Sequence, residues 1–434
     1  MKFFWTFSTT FFAFISLLMS QSEIDYKNHV YDEDIHSVLF ELNGDPSLFP
    51  VIALNQNERI QLSFDDLSGT ERDFYYRVIH CNKNWQPSDI NEIDYISGFQ
   101  DERLRKYVYS TNTRMNYIHY TQSIPSADFK IKISGNYLLV IYEDNIDYPI
   151  LTRRFVVSEN IVSIGMEQVP AKNVSDLRHN QQLLPTIYTG KVNMRNPLED
   201  VDLVMLQNQN WSTAISSKPN FFTNKKLNFS TLGTFEWPGL DEFRIFDIRR
   251  LLSVGRGVEF IERNYNSIEA KLIPDHSRSQ KNYLYEIDLN GQFVIDNVEN
   301  RNASMSIIAD YVNVTFTYID DMSTERKNLY ILCDLNNFEP QPKYKLKYNP
   351  RTQNYTCTVL LKQGFYSYLI GEDLGEDGIS YKDTEGSWAD AENDYFGLVY
   401  YRSAGDIYDR VIGTSTFNTL AVNYNISPVS RLQD

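Results

Sequence analysis

The stretch Phe74-Tyr75-Tyr76-Arg77-Val78-Ile79-His80-Cys81 sets the first limit on what this chain can fold into. Its side chains alternate as a strand's do. Phe74, Tyr76, Val78 and His80 share one face, and Tyr75, Arg77, Ile79 and Cys81 share the other. Both faces carry bulk, so the run reads as a central strand covered on two sides rather than a half-wet hairpin. Further runs of the same kind sit on either side of it between turn residues: Pro50 to Leu54, Ile60 to Phe64, Phe129 to Ile133, Tyr137 to Tyr142 and Arg153 to Val157. Short strands at such spacing predict an antiparallel sandwich of immunoglobulin type. Ser88 to Ile96 suits one short helix, with Ser88 as its cap and Ile90, Ile93 and Ile96 recurring every three residues.

At 434 residues the chain is too long for one sandwich and long enough for three. A second set of strands is read from Ile161 to Ile164, Leu203 to Asn208, Lys226 to Phe229 and Tyr283 to Ile287. Asp241 to Leu252 fits a helix through Phe243, Phe246 and Arg250, or a strand through Arg244, Phe246 and Ile248; the strand is preferred. A third set holds Asn313 to Tyr318, Leu329 to Leu335, Tyr355 to Leu361, Gly364 to Ile370 and Tyr395 to Tyr401. Its strand order is similar to early-set immunoglobulin-like modules, which include glycan-binding domains. The expected organisation is all-β: tandem immunoglobulin-like and early-set sandwiches over 23–158, 159–300 and 301–413. A tail over 414–434 is either docked or disordered. No long linker separates the sets, so they should abut in an elongated array. An aromatic content of 14% suits such sheets, where flat rings cover neighbouring pleats.

The first 22 residues match a secretory signal peptide: Lys2, an uncharged run centred on Phe11 to Met19, then Ser20 and Ser22. The expected destination is therefore outside the cytoplasm. Three cysteines, Cys81, Cys333 and Cys357, are too few for a disulfide scaffold. Cys333 and Cys357 can face one core, as a bonded pair or, in the preferred reading, as two buried thiols. A formal net charge of −16 argues against nucleic acid as a partner, because phosphate would be repelled.

The search for chemistry returns little. Six histidines, at 29, 36, 80, 119, 179 and 276, show no His-x-x-x-His spacing, and no Cys-x-x-Cys occurs. His80 beside Cys81 points to opposite strand faces. Glu372 to Gly378 is acidic and contains glycine, yet it lacks the alternating ligands of a calcium loop and reads as a turn. Asp65-Asp66 and Glu392-Asn393-Asp394 supply carboxylates, but glycoside hydrolysis needs two that face across a cleft. No Gly-x-Ser-x-Gly, Gly-x-Gly-x-x-Gly or phosphate loop is present. The sequence thus names no catalytic, metal or cofactor residue and does not mark an interface. Gln207 to Trp211, Phe221-Phe222 and Trp388 place aromatics where they could stack on sugars or serve as a protein hot spot, with core or corner positions the commoner use of such residues.

A resemblance adds to this. Phe64-Asp65-Asp66-Leu67, the strand ending Ile79-His80-Cys81 with Trp85 four residues on, Gly98-Phe99, Ser110-Thr111-Asn112-Thr113 and Ser134-Gly135-Asn136-Tyr137 resemble the first domain of the type IX secretion system plug protein family. Arg153-Arg154-Phe155 ends that domain as the family's does. Gln207-Asn208 with Trp211, and Glu242-Phe243-Arg244 with Phe246-Asp247 and Arg249, look like its second domain. Gly364 with Tyr366 and Tyr368, Glu385-Gly386, Glu392 to Tyr395, Val399 to Arg402 and Tyr408 to Gly413 look like its end. Cys333 departs from a glycine and Trp388 from a smaller residue in the family's pattern.

The resemblance implies a periplasmic, non-enzymatic protein of Bacteroidetes-type bacteria. Its partner would be the giant outer-membrane translocon β-barrel subunit, whose periplasmic mouth it would seal. Membrane association would come only through that barrel. The alternative is a periplasmic or surface glycan-binding module, and a weaker third is an accessory part of a hydrolase.

Overall fold

The computed structural model describes residues 24–299, 305–321 and 325–420. The expected signal peptide and the tail beyond 420 lie outside the described residues. The architecture is all-β, built from layered, mostly antiparallel sheets that bury one main core in each of three units, with two smaller apolar clusters beside them among the described residues.

In the first unit, the sheet Ile35–Leu42, Ile60–Asp66, Ile118–Ile124 and Lys106–Tyr109 lies over a sheet built on Tyr75–Cys81, Gly135–Tyr142 and Pro149–Ser158. The two faces of Tyr75–Cys81 separate as the alternation predicts. Tyr76 and Val78 join Phe64, Tyr120, Tyr137 and Phe155 inside the sandwich. Cys81, with Tyr75 and Ile79, joins a different cluster on the outer side. Gly135 lies at φ +149°, and a Cβ there would sit 2.3 Å from His80 Nε2. That close approach is why the Ser-Gly-Asn-Tyr motif carries glycine at this step. The helix read over 88–96 shortens to Glu92–Tyr95, and Ile96 already begins a strand.

The second unit pairs Ser163–Val169 with Asn180–Tyr188 in one sheet and Val201–Gln207 with Asp394–Tyr401 and Arg410–Asn418 in the other. The strand read at Tyr395 to Tyr401 in the third set, and a further strand Arg410–Asn418 where no strand is expected, therefore complete the second. The third unit is in turn opened by Arg244–Asp247, which pairs with Gly364–Asp373. The expected boundaries at 300 and 413 are thus crossed by strand pairing. The chain enters the third unit near Leu240 and returns near Ala391, and the strand Arg410–Asn418 takes in the start of the expected tail. The strand read at Asp241–Leu252 is present as Arg244–Asp247. The one read at Tyr283–Ile287 is absent. That segment pairs with no strand and leaves Leu284, Tyr285 and Ile287 exposed. The core of the third unit packs Phe246, Tyr366, Tyr368 and Ile370 against Val314, Phe316, Tyr318 and Val359. Cys333 and Cys357 lie in it as free thiols, and Cys81 is also free.

The outer face of the first unit's large sheet packs directly on the outer face of the second unit's C-terminal sheet. Leu138, Val140, Tyr142 and Val156 meet Val204, Leu206, Phe396, Leu398, Tyr400 and Val411. Phe49 stacks on Phe396 with ring centres 4.0 Å apart. Both sheets are therefore covered on two sides, as the bulk on both faces of Tyr75–Cys81 requires. The first unit also touches the third, so the three units meet pairwise around a common point rather than standing in a row. Each apolar side chain in this seam is held as a core residue would be. Phe396→Ala is expected to lower unfolding stability by about 3–5 kcal/mol, measured by calorimetry. Leu284→Ala, at an exposed site, should change it by less than about 0.5 kcal/mol. Equal effects would show that the two sheets do not form a packed core.

Candidate functional site

The residues singled out in the sequence converge on the seams between units. Asp65, at the end of Ile60–Asp66, is wholly buried. One carboxylate oxygen lies 2.6 Å from His119 Nδ1. The other accepts the Tyr311 hydroxyl at 2.7 Å and the Lys362 ammonium at 2.5 Å. Lys362 also donates to the Ser306 carbonyl at 2.6 Å and lies 4.1 Å above the Tyr117 ring. Burial pushes this ammonium below the ordinary lysine range, while Asp65 pulls it back. The arrangement ties the first unit to the third. Beside it, Thr111 N–H donates to the Ile307 carbonyl, Arg114 N–H to Asp310, and the Tyr117 hydroxyl to the Ala309 carbonyl. The Ser-x-Asn-Thr stretch and Tyr117 thus dock the first unit on the turn Met305–Ile308 of the third.

Asp66 does not form a catalytic pair with Asp65. Successive strand residues point apart, and one Asp66 oxygen caps the Ser68 N–H at 2.9 Å. Glu392 and Asp394 lie in another seam, between the second and third units. There the Asn290 amide donates to both of them, and so does that of Asn418. Asn393 bonds Asn208, Gln181 and the Gly239 carbonyl. A Cβ on Gly239 would meet the Trp388 carbonyl oxygen at 1.9 Å, so the backbones pass too closely there for any side chain.

Between the first and second units, Arg154 lies over the Trp85 ring at 4.5 Å and the Trp211 ring at 5.3 Å, and the two tryptophans meet edge to face. Asn136 of the Ser-Gly-Asn-Tyr motif accepts the Tyr400 hydroxyl at 2.8 Å. Lys83 bonds Asp202 across the same seam. Trp211 is therefore occupied by packing rather than presented for sugar stacking. Trp388 is half-buried, with its backbone N–H on the Leu240 carbonyl, while Phe221 and Phe222 are exposed.

The remaining candidates hold no assembled chemistry. His80 bonds Ser88 at 2.6 Å and faces the Ser134 carbonyl at 3.3 Å; burial lowers it to about 4. Burial pushes the thiols of Cys81 and Cys333 up to about 12 and that of Cys357 to about 11, which removes the thiolate a nucleophile needs. Among the described residues no group of three His, Cys, Asp or Glu side chains is placed to hold a metal. The acidic stretch at 372–378 is a turn in which Asp373 accepts the Gly375 N–H. No described helix is long and apolar enough to cross a membrane. A concavity of about 760 Å³ runs between the first and third units and includes Tyr31, His36, Arg153, Lys343 and Tyr344 in its walls.

Sequence reading found Asp65, Trp85, Asn136, Arg154, Trp211 and Glu392 but not what they bind. It missed Lys362, Tyr311, Asp288 and Asn290 altogether. Lys362 ends an apolar strand and carried no motif signal; its buried position was the missing information. Removing its charge alone leaves Asp65 without its cation. Lys362→Met is expected to cost about 3–5 kcal/mol in urea unfolding, and Lys362→Met with Asp65→Asn should recover most of that loss. A single variant as stable as the parent would show that the pair does not hold the seam.

Residues 35–159 match the family described as type 9 secretion system plug protein 1st domain. The chain is also similar to a crystal structure of a hypothetical protein from Parabacteroides merdae, at 28% identity and a TM-score of 0.86. That match covers 91% of this chain and all of the other. A C-terminal domain of the Streptococcus pyogenes antigen I/II-family protein AspA aligns at 9% identity over 86% of this chain and 94% of that one. Its TM-score of 0.14 carries no argument. No curated protein matches the chain.

Proposed function

We propose that this chain, whose residues 35–159 are a first domain of the type IX secretion system plug family, closes the periplasmic opening of that system's outer-membrane translocon barrel between transport events. The observation that carries this reading is the family match on the unit whose motif residues bind both other units. A plug acts sterically. It has to span a wide aqueous opening without deforming, and it needs no bond-making groups. Three pairwise seams suit that task, because moving one unit requires breaking its contacts with two others. Asp65, Glu392 and Asp394, carboxylates that would matter to a hydrolase, are engaged in those seams, and Trp211, a leading candidate for sugar stacking, is engaged too. The partner in this reading is the giant β-barrel subunit, reached from the periplasm, with membrane association through the barrel alone.

Affinity purification of the tagged chain from detergent-solubilised outer membranes tests this. A very large barrel subunit is expected to co-purify. Deleting the gene should raise entry of large polar compounds across the outer membrane. Recovery of the chain without the barrel, together with binding of soluble oligosaccharide, would favour the glycan-binding reading instead.

A further inference from the structure

The seam between the second and third units gathers carboxyl groups where few cations reach them. Glu242 is 1% exposed and Asp288 5% exposed. Glu242 Oε1 accepts the Glu392 N–H at 3.0 Å and the Tyr283 hydroxyl, and its Oε2 is buried with no hydrogen-bond partner. Asp288 accepts the N–H groups of Phe243 at 2.5 Å and Asn290 at 2.6 Å. Every described partner of these two carboxyls is therefore a neutral donor. The charged groups around them are Asp241 on the same segment, Glu392 and Asp394 on the returning strand, and Arg244, Arg278 and Glu385. Arg244 is engaged by Glu385 and Asp275. Arg278 is engaged by Glu385 and Asp241, and reaches Glu242 only at its backbone carbonyl.

We propose that this seam is a proton-dependent clasp: Glu242, through the Glu392 N–H, and Asp288, through Asn290, whose amide reaches Glu392 and Asp394, hold the crossing segment 391–394 while they carry protons, and loosen it when they ionise. Two neutral acids among neutral donors leave a stable contact. Two buried anions beside Glu392 add mutual repulsion with no cation of their own to offset it. Burial, with the neighbouring Glu392, raises Glu242 to about 7 and Asp288 well above the ordinary carboxylate range. An acid raised by folding contributes stability that is present below its unfolded value and is lost as pH rises through the folded one. For Glu242 that window runs from 4.5 to about 7. The clasp is a property of the seam whatever the body closes.

Hydrogen exchange of the full chain, corrected for the intrinsic pH dependence of exchange, tests it. Protection of 391–396 should fall about tenfold between pH 6 and pH 9, while that of 137–142 in the first unit holds. The E242Q/D288N variant, whose amides stand in for the protonated acids, should show no such fall. Unchanged protection in the parent, an equal fall at 137–142, or an undiminished fall in the variant would each overturn the proposal. The 137–142 control also separates this seam from Glu41, which burial raises to about 7 near the meeting point of the three units. Should the double variant not fold, E242Q alone is read. A fall at most half that of the parent supports the clasp, and a larger one overturns it.

Discussion

Everything else in this molecule depends on two sheets that have no wet face. Every residue of the strand Gly135–Tyr142 is buried, with Tyr137, Leu139 and Ile141 filling the first sandwich and Leu138, Val140 and Tyr142 facing the second unit. Val201–Gln207 behaves in the same way, with Leu203 and Met205 turned inward and Val204 and Leu206 turned to the first unit. A first unit standing alone would expose the apolar outer layer of its main sheet. A patch of that kind is what soluble monomers avoid. The units are therefore better regarded as layers of one body than as beads that happen to touch.

This explains which features could be read from the sequence and which could not. Alternation sorted the faces of Phe74 to Cys81 correctly, because period two survives whatever the strand packs against. It also showed that both faces were bulky, and so that something covered the second. It failed at Tyr283 to Ile287, whose alternation of Tyr, Leu, Tyr, Glu and Ile is strand-like although no neighbouring strand takes its backbone. Pattern reports a capacity for pairing, and only the fold supplies the partner. The domain boundaries failed for a related reason. Neighbouring strands in sequence are usually neighbours in space, yet Asp394–Tyr401 pairs with Val201–Gln207 across almost two hundred positions. The same distance hid the partners of Asp65. Lys362 lies 297 residues away and Tyr311 lies 246 away.

The motif residues acquire a physical meaning from these seams. Asp65, the Ser-x-Asn-Thr stretch, Trp85, Asn136 and Arg154 look like fragments of unrelated turns when taken along the chain. In the fold, Asp65, Thr111 and Tyr117 grip the third unit, while Trp85, Asn136 and Arg154 grip the second. The apolar seam supplies adhesion without direction. The polar contacts supply register, since a buried carboxylate or amide is satisfied in one docking geometry and left unpaired in most others. Sheet faces that could slide over one another are in this way fixed at one position.

A closed set of three seams also restricts how the body can move. In a row of domains, a single hinge lets one end swing at the loss of one interface. Here the first unit is bound to the second through apolar sheet faces and to the third through Asp65 and Lys362. The second and third are joined by two chain crossings, by the Asn290 amide on Glu392 and Asp394, and by the Glu392 N–H on Glu242. Turning any unit breaks two seams together, so the accessible motion is displacement of the body as a whole. Release of such a body from a larger assembly is then governed by its outer surface, and its interior needs to change only if a seam is itself made switchable. The seam between the second and third units is the place where that is cheapest. Its buried acids sit among neutral donors, and among the described residues the apolar cluster beside the crossing, built on Leu240, Phe243, Tyr330, Leu332, Phe338 and Leu369, is smaller than the layer joining the first and second units.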